Sequence, residues 1–163
     1  MLDSTILTSI ATQYHASLKM LRKAIELCSE DLWLDAKYRN PFWHIAYHTL
    51  FYANLYVQPG EATFQQWARH REGTRALGDL PAEQLAALAY SKPDILEYHA
   101  LCSAEIAAKV PQTDLEAQSG FYWLTFNKLE LHLYNLRHIQ HHTGQLIERL
   151  RQVSDIGVPW TGR

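Results

Sequence analysis

The sequence predicts an all-α protein built as a four-helix bundle. Three observations carry this expectation. Four long segments repeat apolar residues every three or four positions, no convincing strand run appears, and the breaks between long segments fall at proline, glycine and capping residues. The chain has 163 residues, 47% hydrophobic and 20% charged. One domain over 1–163 can therefore bury a core without staples.

The first helix is expected from Asp3 to Glu30. Ile6, Ile10, Tyr14, Leu18, Leu21, Ile25 and Leu27 recur at helical steps, with Asp3 or Ser4 as N-cap. DLWLDAKYRN reads as a connection. Asn40-Pro41 pairs a capping residue with proline at the first helical position, so a second helix runs from there to about Val57, before Gln58-Pro59-Gly60. Residues 58–92 form a long excursion. EATFQQWARH suits one or two helical turns, REGTRALGD a loop, and PAEQLAALAY a short helix; excursions of this length often line or cover sites. Pro93 opens the third long helix, PDILEYHALCSAEIAAKV, which stops before Pro111. TDLEAQSGFYWLTF has no clear period and is expected to be irregular. Asn127, with Glu130 three residues on, starts the fourth long helix as a variant capping box. That helix carries LELHLYNLRHIQHHTGQLIERLRQV, and GVPWTGR ends the chain.

Composition excludes several classes of function. A net charge of −2 gives no field favouring nucleic acid or anionic lipid. No run of roughly 18 apolar residues exists, so no membrane span is expected. The opening MLDSTILTSIATQYH lacks the basic and long apolar regions of a signal peptide. Cys28 and Cys102 are isolated, which argues against a disulfide framework and for a reducing, cytoplasmic setting.

Nine histidines are present, unevenly spread. His138 and His142 are four apart in a strongly helical segment, so their side chains stand about 40° apart on one face, one turn above the other. That spacing lets two imidazoles reach a common ion. Leu131 and Gln145 share the face, while Ile139, Leu146 and Leu150 spread over the adjoining arc, so the pair borders the core. Arg137, Gln140, Glu148 and Arg151 fall on the opposite, solvent-facing arc, and His141 lies between. A second HxxxH, His44 and His48, sits on the second helix on a face continued by Phe51 and Leu55. A single such pair is usually incidental. Two inward pairs point to a divalent metal, because buried imidazoles without partners are costly.

The segments WHIAYHTLFY (43–52) and LRHIQHHTGQL (136–146) resemble the DinB-like, or DinB/YfiT-like, superfamily of metal-dependent enzymes. The likeness is strongest in the HxxxH-x-Gly-Gln stretch. The resemblance implies an up-down-down-up four-helix bundle and a metal held by three histidines, one from the second helix and two from the last. Carried over, these are His48, His138 and His142. In the related helix of ergothioneine-forming sulfoxide synthases the ligand histidine precedes threonine. Thr49 here follows His48, which favours His48 and leaves His44 as the alternative. Relatives include thiol S-transferases and a mycothiol-dependent isomerase. They imply a small-molecule substrate such as a low-molecular-weight thiol, activated as thiolate at the metal. Zinc and nickel both suit imidazole ligands.

Among the remaining residues, most aromatics are expected in the core or a dimer seam, with Tyr47, Tyr52 or Tyr134 as alternatives for lining the metal pocket. Asn135 and Gln145 are candidates to hold the outer ring nitrogens of His138 or His142. His15, His70, His99 and His132 are expected at the surface or satisfied in the interior, and both cysteines in the core. The aromatic load and the family's habit of pairing imply a homodimer, with Trp33 and Tyr38 in its seam. A metal-dependent transferase or hydrolase is the leading expectation. The alternatives are a non-catalytic metal-binding module with a stress-response role and a purely structural helical dimer.

Overall fold

The computed structural model describes residues 2–163. It is all-helical: α1 (Leu2–Leu27), α2 (Glu30–Trp33), α3 (Phe42–Leu55), α4 (Ala82–Ala87), α5 (Lys92–Lys109) and α6 (Lys128–Ser154), with 3-10 turns at Glu61–Thr63 and Val110–Gln112. Among the described residues no strand forms, only an isolated bridge between Gln118 and Asn127. The long helices interlock in pairs: α1 and α3 each pack against both α5 and α6.

The apolar stripe of α1 packs as its periodicity requires. Ile10, Tyr14, Leu18, Leu21 and Ile25 are buried, with Ile6 and Leu27 at the margin. The helix already runs through Asp3 and Ser4, so neither is its N-cap. The expected connection after it begins with a helical turn instead. Ser29 Oγ accepts from Leu32 N at 3.3 Å, and Glu30 and Asp31 occupy the first turn, where acids favour a helix start. That turn drives Trp33 inward to 1% exposure, with its indole N–H on the Tyr90 carbonyl at 2.8 Å. Trp33 therefore lies beneath the surface and cannot belong to a dimer seam. Tyr38 is half-buried under the Arg149 guanidinium, 3.8 Å from its ring centroid.

α3 is the central helix. Of its residues only His48 and Tyr52, one turn apart, are not buried. A helix apolar on nearly every side belongs in the interior, and its one open stripe marks where something else can reach it. Pro41, not Asn40, takes the capping position. Asn40 Oδ1 accepts from Gly78 N at 2.9 Å, so this side chain ties down the long excursion rather than the helix start.

α5 starts on a capping box between Ser91 and Asp94, and its proline falls within the first turn. α6 begins on Asn127, whose Oδ1 accepts from Glu130 N at 3.0 Å. It ends after Ser154, where Asp155 turns left-handed at φ 54°. On α6 the buried set Leu131, Ile139, Leu146 and Leu150 matches the expected inner arc. Gln140 departs from the expected solvent arc, donating to Ser17 Oγ at 3.1 Å across the α1 interface. No described helix is long and apolar enough to cross a membrane.

Candidate metal centre

α3 and α6 bring His48, His138 and His142 together. One ring nitrogen from each lies within 4.8 Å of the others, the spacing of a group able to hold a metal ion. His48 and His138 face each other Nε2 to Nε2 at 3.1 Å. Ring centroids stand 5.0 Å apart for His48–His138, 4.7 Å for His48–His142 and 4.6 Å for His138–His142. Among the described residues no cysteine, carboxylate or further histidine joins this group.

Two of the rings are fixed by their outer nitrogens. His48 Nδ1 donates to the Arg75 carbonyl at 2.7 Å, and His142 Nδ1 donates to Gln145 Oε1 at 2.8 Å. Placing the proton on Nδ1 leaves the Nε2 lone pair of each ring turned inward, the tautomer a metal ligand needs. His138 Nδ1 is buried without a hydrogen-bond partner. Asn135 does not supply one: its Nδ2 donates to the Ala53 carbonyl at 3.2 Å and its Oδ1 takes no hydrogen bond from the ring. The donor set fits a borderline-soft divalent ion: three imidazoles, inward lone pairs and no charge-bearing competitor.

The electrostatics keep these rings in ligand form. Burial pushes His48 down to about 4, with the positive charge His142 and His44 would carry acting in the same direction. Burial takes His138 to about 3, reinforced by His48, His142 and His141. His142 is lowered mainly by burial. All three are neutral at pH 7, as imidazole coordination requires.

His44 goes elsewhere. It is fully buried and bonds through Nε2 to the Thr74 carbonyl at 2.9 Å. The two histidines of α3 thus hold adjacent carbonyls, Thr74 and Arg75, of the long excursion, but only His48 also reaches α6. Tyr47 bonds to His70 in the same excursion and stacks on Tyr90 and Tyr98, away from the three-histidine group. Of the three candidate tyrosines, Tyr52 is beside the site, its ring 4.9 Å from His48 and 5.5 Å from His138. Tyr134 packs on Tyr56 and Phe126. His141 is exposed at the rim. The residues that sequence reasoning missed are Thr74 and Arg75, which act through backbone carbonyls and so carry no side-chain signature.

No protein-family model, curated protein or solved structure matches this chain.

Proposed function

We propose that this chain is a DinB-like, up-down-down-up four-helix bundle that holds one divalent ion, zinc or nickel, through His48, His138 and His142, and acts as a metal-dependent enzyme on a small molecule. The observation that carries the reading is the convergence of three imidazoles with no fourth protein ligand among the described residues. Three ligands and an open position characterise catalytic sites, whereas structural sites are closed by a fourth. When bound, such an ion lowers the pKa of a coordinated thiol or water and supplies a nucleophile at neutral pH.

The chain's own residues do the positioning. The Arg75 carbonyl and Gln145 orient two of the rings, and Tyr52 supplies an aromatic wall next to His48 and His138. Thiol S-transfer from a low-molecular-weight thiol to an electrophile, or hydrolysis, suits this arrangement, and a homodimer is the assembly that goes with it. Elemental analysis of the purified protein, with turnover of thiol–electrophile pairs and ester substrates, tests the proposal. One equivalent of zinc or nickel and metal-dependent turnover are expected. No bound metal before and after reconstitution would overturn it. One equivalent of metal without turnover would leave a non-catalytic metal-binding module.

A further inference from the structure

A separate cavity lies at the other end of the α3–α6 contact. A cleft of about 720 Å³ opens where the exit of α3, the end of α5 and the start of α6 meet. That volume falls in the range of small-molecule pockets. Its apolar walls include Tyr56, Val57, Ala108 and Ala117, and Lys128 and His132 line it from α6. Lys128 is ten residues before His138, or about 15 Å along the helix axis, so this cleft is separate from the three-histidine group.

Lys128 is an unusual residue in an unusual place. It is 7% exposed and begins α6, at the positive end of a 27-residue helix dipole, where a cation is disfavoured. Its ammonium donates to the Gln58 and Pro59 carbonyls at 2.8 and 3.0 Å. The Pro59 carbonyl lies close against Gly120, at φ +86°, where a Cβ would stand 2.1 Å from that oxygen, so only glycine fits there. An ammonium has three donors, of which these carbonyls take two; the Phe121 ring, its centroid 5.5 Å from the nitrogen, offers the third only a π face. Burial alone moves Lys128, down to about 8; Asp114, the acid on the cleft wall, is exposed, accepts from Glu116 N at 3.0 Å and makes no ion pair with the lysine. Lys128 therefore remains mostly charged at neutral pH. The other lysine of the cleft, Lys109, is already neutralised by Glu105 at 2.6 Å. His132, 1% exposed and held by the Tyr14 hydroxyl at 3.1 Å, is pushed down to about 4 by burial and adds no competing charge. A buried, uncompensated cation beside apolar walls calls for an anion with an apolar body.

We infer that this cleft binds a small carboxylate carrying an apolar chain or ring, with the carboxylate on the third donor of Lys128 and the apolar part against Tyr56, Val57 and Ala108.

Calorimetric titration with octanoate tests it, with octanamide as the uncharged match. Octanoate is expected to bind one-to-one and at least tenfold more tightly than octanamide. Lys128→Met, which keeps the apolar stem, should remove that preference. Ala108→Trp, at an exposed position on the cleft wall, should block both ligands without touching the lysine, and it carries the test if Lys128→Met does not fold. His138→Ala should leave octanoate binding unchanged, so failure of the metal reading and failure of this one are separable. Equal affinity for octanoate and octanamide, unaltered octanoate binding in folded Lys128→Met, or unaltered binding in Ala108→Trp would each overturn the inference.

Discussion

The two HxxxH pairs have the same spacing and opposite fates. On α6 both histidines turn to a common point. On α3 the pair splits: His48 faces α6, while His44 is sealed in the interior against the Thr74 carbonyl. Helical spacing guarantees only that two side chains share a face. What each reaches is decided by what lies over it. The stretch from His70 to Gly78 folds back over α3 and offers two successive carbonyls, which His44 and His48 both take. His44 has no α6 partner and ends there. His48, one turn on, uses its second nitrogen toward His138. A buried histidine is thus a structural donor when backbone meets one nitrogen, and a ligand candidate only when its other nitrogen meets further imidazoles.

Removing the converging rings one at a time should have the largest effect. His48→Ala, His138→Ala and His142→Ala should each lower metal affinity by more than the roughly 10–100-fold typical of losing an outer partner, since each deletes one of the three candidate ligand nitrogens. Metal content of the dialysed variants checks this. Full retention of metal in His138→Ala would refute the site.

His44→Ala should separate metal binding from stability. Truncation leaves the Thr74 carbonyl without its donor and opens a cavity beside Trp43, whose ring centroid is 5.1 Å away. The expected cost is about 3 kcal/mol, from an unsatisfied buried acceptor plus lost packing. Metal content measured below the unfolding transition should stay near that of the wild type. If His44→Ala loses metal and His48→Ala retains it, the roles assigned to the α3 pair are reversed.

The all-helical class and the long helices were legible because their signals are local. Apolar periodicity marked α1, α3, α5 and α6, and the capping residue Asn127 set the start of α6. The short helix α2 was missed because Ser29-Glu30-Asp31 is a capping signal too brief to stand out beside a 26-residue helix. Asn40 looked like a cap and became a tether, because a side-chain amide serves either use and only the return of Gly78 decides. At the site, the i, i+4 pair on α6 could be read from spacing and Gln145 from its position on the same face. The choice between His44 and His48 could not be read from spacing, since it depends on backbone oxygens more than twenty-five residues away.

Acid should distinguish structural histidines by their pH profile. His132 is held near 4 by burial, against the usual 6.5. The unfolded chain binds a proton there below about 6.5 and the folded one does not until about 4. Stability therefore rises with pH across that window and falls as pH drops through it, by up to about 3 kcal/mol for this residue. Urea denaturation of metal-stripped protein from pH 7 to 4 should show a shallower loss in His132→Gln than in the wild type. Equal slopes would mean that His132 is not held neutral.

The smallest effect tests how the α6 pair is aimed. Gln145 holds His142 through its Nδ1 proton at 2.8 Å, but the glutamine is itself exposed, and water can take over its acceptor role. Gln145→Ala should weaken metal binding by about tenfold, the low end for an outer partner. Gln145→Glu retains an acceptor at that position and should recover most of the loss. His141→Ala is the matched control. This ring is exposed and stacks edge-on to His142 at 4.8 Å, yet it is not one of the three converging imidazoles, so metal affinity should change by less than about threefold. Competitive titration with a zinc chelator resolves these steps. A larger loss in His141→Ala than in Gln145→Ala would mean that His142 is aimed by its ring neighbour and not by the glutamine, and the account of how α6 presents its two histidines would have to change.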